Sequence, residues 1–169
     1  MFQDEMKKAA EDFGLTLSEN QLAQFTRYYE LLVEWNEKMN LTAITEEHEV
    51  AIKHMVDSLS AYDPALFDGK ISIIDVGTGA GFPGLPLKIF CPQVHLTLMD
   101  SLNKRVNFLQ TVVDELGLED VDCVHARAEE GARMKKYREQ YDLAVSRAVA
   151  RLPILCEYCL PFVPFNWSL

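Results

Sequence analysis

Apolar residues in the first sixty positions return at three- and four-residue steps. Leu22, Phe25, Tyr28, Tyr29, Leu32 and Trp35 follow this rule, which is the period of a helix with one buried face. Ahead of them Ser18-Glu19-Asn20-Gln21 has the form of a capping box, with Ser18 as N-cap and Gln21 three positions on. Thr45, followed by Glu46 and Glu47, predicts a second helix start, since acids suit the positive end of a helix dipole. Val50, Ile52, His54, Met55, Ser58 and Leu59 carry that helix towards Tyr62-Asp63-Pro64. The stretch between, residues 35–42, is polar enough for a surface turn pinned by a few apolar side chains.

From Lys70 the period changes. Ile71-Ser72-Ile73-Ile74-Asp75-Val76 is a short apolar run ending in glycines, the profile of a buried parallel strand. Helices are then expected over residues 85–90, 102–116, 128–136 and 152–163, with strands over 95–99, 121–125 and 141–145 between them. Such alternation predicts an α/β fold with a doubly wound parallel sheet, whose ligands gather at the carboxyl ends of the strands. The change of period divides the chain into a helical lobe, residues 1–64, and an α/β domain, residues 65–169.

Composition narrows the function classes. With 49% apolar residues the chain can fill a core, and no apolar run approaches the roughly 20 residues that span a bilayer. The opening Met1-Phe2-Gln3-Asp4-Glu5 is acidic where a secretory signal is basic, so a cytoplasmic protein is expected. The net charge is −10, from 16 basic and 26 acidic residues. That balance argues against a surface covered in phosphate contacts. The charge is uneven: residues 1–60 carry 5 basic and 12 acidic groups, residues 61–169 carry 11 and 14. Arg133, Lys135, Lys136 and Arg138 form a compact basic run in the second part. Cys156 and Cys159 make a lone CxxC in an apolar stretch, and neither they nor the four histidines show metal-ligand spacing. No metal is expected.

The candidate chemistry centres on Asp75-Val76-Gly77-Thr78-Gly79-Ala80-Gly81-Phe82-Pro83-Gly84. Glycines at alternate positions let the backbone turn sharply and approach a ligand, and the following helix is expected to present unpaired N–H groups. Asp100 closes the second strand 25 residues after Asp75, where a carboxylate can accept both hydroxyls of a ribose. Ala128-Glu129 follows the third strand, on the rim where an adenine would lie. Residues 79–84 also satisfy GxGxxG, and Asp100 falls about twenty residues on, so an NAD-dependent oxidoreductase is an alternative. Asp75 and Gly77 favour S-adenosylmethionine. A negative charge two residues before the first glycine suits the amino group or sulfonium of that cofactor, not a pyrophosphate.

Several segments together resemble one family. They are Trp35-Asn36-Glu37-Lys38-Met39-Asn40-Leu41-Thr42, Lys53-His54-Met55-Val56-Asp57-Ser58-Leu59, Asp75 through Pro83, Asp100-Ser101-Leu102-Asn103-Lys104-Arg105, Arg127-Ala128-Glu129-Glu130 and Ser146-Arg147-Ala148-Val149-Ala150. The chain resembles the bacterial small-subunit ribosomal RNA guanine-N7 methyltransferases, the RsmG or GidB (glucose-inhibited division protein B) family, from about residue 15 to residue 163. The resemblance implies a Rossmann-like class I methyltransferase domain with an N-terminal helical extension, S-adenosylmethionine as cofactor, and 16S ribosomal RNA or the small ribosomal subunit as substrate. Cofactor contacts then fall on Asp75, Gly77, Gly79, Phe82, Asp100, Ala128, Glu129 and Arg147. Arg147, Lys104 and Arg127 are the candidate catalytic residues, with Lys104, Arg105 and Arg127 facing RNA. Trp35 and Phe25 are expected in the core. Guanine N7 carries a lone pair, so its methylation requires alignment and no general base.

Relatives continue beyond Val163 into a glycine turn and further strands, whereas this sequence closes with Pro164-Phe165-Asn166-Trp167-Ser168-Leu169. The resemblance therefore predicts a sheet lacking its two C-terminal strands, with apolar surface along the fourth strand and last helix. Two expectations follow. A monomer is expected, with a dimer across that edge as the other arrangement, and a non-catalytic cofactor-binding remnant stands beside the enzyme as a second alternative.

Overall fold

A computed structural model describes residues 1–147 and 158–164. Helix α1 (Phe2–Asp12) and the long α2 (Glu19–Asn36) open the chain. The Ser18 box closes as the pattern predicts: Ser18 Oγ accepts from Gln21 N–H at 3.1 Å, and Gln21 Oε1 accepts from Ser18 N–H at 2.9 Å. The Gln21 amide also donates to the carbonyls of Ile89 and Phe90 at 3.2 Å each, so one side chain starts one helix and ends another.

The next helical stretch is built in three pieces: α3 (Glu47–Val50), a π-helical turn (Ala51–Val56) and α4 (Asp57–Leu59). Its N-cap is Glu46 and not Thr45. The Glu46 carboxylate accepts from the N–H groups of His48 and Glu49.

The sheet holds β1 (Ser72–Val76), β2 (His95–Asp100), β3 (Val121–His125) and β4 (Leu143–Val145) in the order β3-β2-β1-β4, each pairing parallel. Helix α5 (Gly84–Phe90) joins β1 to β2, and α6 (Asn103–Leu116) joins β2 to β3. Helix α7 (Ala128–Gly131) is one turn long, shorter than the expected 128–136. At its last residue, Gly131, the backbone packs closely on the Met99 side chain, which a Cβ would approach to 2.6 Å. The expected last helix falls largely outside the described residues, which show Leu160–Phe162 as a single 3-10 turn.

Strand alternation sorts the core into two layers. Ile73, Leu96 and Leu98 face a large cluster that includes Phe25, Leu32, Met55, Leu85 and Phe108. Ile74, Val76 and Met99 face a smaller one with Tyr137, Tyr141 and Phe162. The helices before residue 64 thus share one apolar cluster with the sheet. Phe25 is fully buried, and Trp35 packs on Phe108 with ring centroids 5.7 Å apart. An apolar groove of about 430 Å³ runs beside β4, lined by Leu66, Leu143, Leu160 and Val163. No helix among the described residues is long and apolar enough to cross a membrane.

Candidate functional site

The reversal of strand order between β1 and β4 opens a crevice at the carboxyl ends of the strands. Two cavities occupy it and meet at Gly77. The first, about 310 Å³, is lined by Val76, Gly77, Asp100, Ser101, Leu102, Ala126, Arg127, Ala128, Glu129, Ser146 and Tyr158. The second, about 240 Å³, is lined by Leu41, His54, Gly77, Thr78, Gly79, Ala80, Phe82, Arg105 and Arg147. The first cavity draws on the ends of all four strands, and the second joins the glycine loop to the helical lobe.

The loop is fixed from below. Gly77 and Thr78 donate to the Met99 carbonyl at 2.9 and 3.1 Å, continuing the β1–β2 pairing past the strand end. Gly77 has φ +66, and a Cβ there would meet no protein atom within 4 Å; its left-handed backbone leaves the side facing the cavities open. Gly81 is different: at φ +101 its Cβ would lie 2.5 Å from Leu85 Cδ1 and 2.6 Å from Tyr28 Oη. Helix α2 presses on the loop here, and Tyr28 donates to the Ala80 carbonyl at 2.5 Å.

Asp75 is fully buried beneath the loop and lines neither cavity. Its Oδ2 accepts from Thr78 Oγ1 at 2.7 Å and from Gly84 N–H at 2.8 Å, while Oδ1 meets no partner. Burial pushes its carboxyl up to about 8, so it is largely protonated at neutral pH. The expected negative charge beside the cofactor is therefore not supplied by Asp75, which staples the loop to α5. The expected unpaired N–H groups of α5 are also spent. Gly84 donates to Asp75, Leu85 to Gly81 and Leu87 to Pro83, and Pro86 has no N–H.

Asp100 is buried at the end of β2, and its carboxylate holds the rim together. Oδ2 accepts from Gly79 N–H at 2.8 Å and Oδ1 from Leu102 N–H at 3.0 Å, with Arg105 Nη1 3.6 Å away. Each oxygen keeps a lone pair for a ligand in the first cavity. Ala128, Glu129 and Arg127 form the opposite wall, with Arg127 and Glu129 exposed. Lys104, in the first turn of α6, is exposed and lines neither cavity, so the structure keeps it apart from the other candidate catalytic residues.

Arg147 faces the second cavity and is gripped by the helical lobe. Its Nη1 donates to His54 Nδ1 at 2.9 Å, and its Nη2 donates to the Lys53 carbonyl and to Asp57 Oδ2, the latter at 3.2 Å. The guanidinium also lies over the Phe82 ring, 5.3 Å from its centroid. His54 stacks on the same ring at 4.6 Å. Sequence reasoning gave no role to His54, Thr42, Asp57 or Ser146. The motif segments that contain them were visible, but nothing in their spacing showed that residues 42, 54 and 147 converge.

A family profile described as GidB, rRNA small subunit methyltransferase G, matches residues 21–166. The chain belongs to this family. Among members of the methyltransferase G family, a relative from Alkaliphilus metalliredigens is 57% identical over 158 residues, covering 94% of this chain and 66% of that protein. One from Clostridium botulinum (strain Eklund 17B) is 54% identical over 165 residues, covering 98% and 69%. Both are named ribosomal RNA small subunit methyltransferase G, and the chain spans about two thirds of their length. Among solved structures, the PH0793 protein of Pyrococcus horikoshii aligns with TM-score 0.53 and 14% identity, covering 66% of this chain and 39% of that one. A variant of the protein MtNAS in complex with S-adenosylmethionine aligns with TM-score 0.50 and 13% identity, covering 89% and 73%. At these identities the likeness shows the fold.

Family membership removes support from the nicotinamide reading, and the geometry gives a reason. A pyrophosphate needs the N–H groups at the start of the glycine-loop helix, and in this methyltransferase G relative those of α5 are already bonded within the chain. Among the described residues no group of three or more His, Cys, Asp or Glu side chains could hold a metal ion. Cys156 lies outside them.

Proposed function

We propose that this chain binds S-adenosylmethionine in the paired cavities and transfers its methyl group to N7 of a guanine in 16S ribosomal RNA, in the cytoplasm. The observation that carries the reading is Asp100. It is a buried carboxylate at the end of β2, with both oxygens anchored by backbone N–H groups, and it lines a cavity of ligand size.

The residues present fit the cofactor. Asp100 accepts the ribose hydroxyls with its remaining lone pairs, a charge-assisted contact. Ala128, Glu129 and Arg127 border the base. Gly77 and Gly79 leave the floor open, and Phe82 with Arg147 closes the far side. When bound, S-adenosylmethionine supplies an electrophilic methyl group. The protein's task is to hold the acceptor nitrogen in line with it, and to exclude water while it does so. No proton leaves N7 before attack, so no side chain need act as a base. The site agrees with this, since Asp75 is neutral and out of reach and His54 is occupied by Arg147. Arg105, Arg127 and Lys104 contribute positive charge on the rim for the RNA backbone.

Calorimetric titration with S-adenosylhomocysteine, with NAD in parallel, tests the reading. Saturable binding of the first and none of the second is expected, followed by methyl transfer to small ribosomal subunits. Binding of NAD alone overturns the proposal. Binding of S-adenosylhomocysteine without transfer leaves the second alternative, a cofactor-binding remnant.

A further inference from the structure

The geometry points to His54 as a positioning residue: its Nδ1 lone pair holds Arg147 at the second cavity, so the helical lobe completes the site. The inference rests on the reading of Arg147 as part of that site, and it assigns a task to a residue the reaction itself does not call on.

The bonds form a continuous chain. At the end of α2, Asn36 Oδ1 accepts from the N–H groups of Leu41 and Thr42 at 2.8 and 2.9 Å, folding the 37–42 turn back on the helix. Thr42 Oγ1 then lies 2.7 Å from His54 Nε2 and accepts from Ile44 N–H at 3.0 Å. His54 Nδ1 lies 2.9 Å from Arg147 Nη1. An arginine only donates, so Nδ1 must be the acceptor and Nε2 must carry the proton, which it gives to Thr42. The chain thus selects one neutral tautomer of His54, and only that tautomer can hold Arg147.

Packing enforces the same state. The imidazole lies flat on Phe82, 16° from parallel, and the guanidinium hydrogen-bonded to it lies over the same ring. Burial first, and the Arg147 charge second, hold the His54 imidazolium down at about 4; Asp57 opposes this weakly, and Arg105 also faces the cavity. The π-helical turn over residues 51–56 brings the Lys53 carbonyl and His54 Nδ1 to the same guanidinium. Widened turns of this kind are common at functional sites. Three of the five guanidinium donors are spent on residues 53, 54 and 57. This fixes the plane of Arg147 without using every hydrogen, and leaves donors for a ligand.

Two substitutions separate the acceptor from the rest of the ring. In His54→Asn the side-chain oxygen sits near the place of Nδ1 and keeps the acceptor. In His54→Gln the amide nitrogen reaches the place of Nε2, keeping the contact to Thr42 but losing the acceptor. Both lose the stacking on Phe82, so a purely structural role moves both alike. With nitrogen-labelled arginine, NMR reads rotation of the Arg147 guanidinium without any ligand. Slow rotation is expected in the parent and His54→Asn, and faster rotation in His54→Gln, where only the bonds to Lys53 and Asp57 remain. S-adenosylhomocysteine affinity should fall roughly tenfold in His54→Gln alone, the effect of one charge-assisted hydrogen bond. Equal rotation in the two variants, or equal affinity with a binding-competent parent, refutes the inference. A parent that restrains Arg147 through His54 yet binds no S-adenosylhomocysteine supports the positioning and sinks the proposed function instead.

Discussion

Replacing Asp75 by Asn should become steadily more favourable as pH rises. The carboxyl is buried under the glycine loop, with two donors on Oδ2 and nothing on Oδ1, and burial raises it to about 8. The unfolded chain releases this proton near 3.8. Between those values the unfolded state binds fewer protons than the native state, so stability is fully present below about pH 4 and drains away as pH rises towards 8. Each pH unit is worth about 1.4 kcal/mol, so the whole interval is worth on the order of 5 kcal/mol as an upper bound. Asparagine keeps an oxygen for Thr78 and Gly84 and does not ionise. Its amide places donors on the Oδ1 side, where the neutral carboxyl already carries its own unpartnered O–H, so the two proteins start from similar stability at low pH. The variant should therefore gain on the parent steadily as pH rises and be the more stable protein at pH 9. Urea unfolding of both at pH 5, 7 and 9 measures this. The difference between them should change by about 4 kcal/mol from pH 5 to pH 8 and then level off. A difference that stays constant across that range would mean that Asp75 ionises as an ordinary carboxylate, and the argument from burial would fail.

His54 has the opposite sign. Its folded value is lowered to about 4, so its neutral state costs stability as pH falls below about 6.5, with a loss of about 3 kcal/mol complete near pH 4. His54→Asn should abolish that slope in acid unfolding curves. Tyr28→Phe strips the buried Ala80 carbonyl of its donor and should cost about 1–3 kcal/mol in urea, with weaker S-adenosylhomocysteine binding through a loosened loop. Gly84→Ala would bring a Cβ within 2.8 Å of both Asp75 Oδ2 and Leu98 Cδ2, and should cost about 1–3 kcal/mol by overpacking, read as a lowered thermal midpoint. Lys104→Glu should weaken binding to ribosomal RNA and leave S-adenosylhomocysteine affinity unchanged in calorimetry, because Lys104 is exposed and lines neither cavity.

Much of this protein is legible along the chain because its strands and long helices are local periodicities. The strand over 121–125 falls where the alternation places it, and the Ser18 box closes as its spacing requires. Asp100 at the end of β2 and Ala128-Glu129 after β3 do reach one cavity, because parallel strands deliver their carboxyl ends to one edge. Features that depend on a neighbour were not legible. Helix α7 is one turn long, and its Gly131 packs against Met99, 32 positions earlier in the chain. The N-cap is Glu46, one position after the residue the pattern favoured, and its carboxylate takes the N–H groups of His48 and Glu49.

The sequence by itself determined the α/β order, the glycine loop and the family, since each is written in residues close together or in motifs read one at a time. Only the tertiary structure decided what the charged groups do. It buried Asp75 under the loop as a neutral staple, where the chain alone suggests a charge beside a ligand. It also set His54 against Arg147, 93 positions apart, so that the helical lobe holds part of the site. The physical reason is that a carboxyl or an imidazole takes its charge from its surroundings, and those surroundings are assembled from distant parts of the chain.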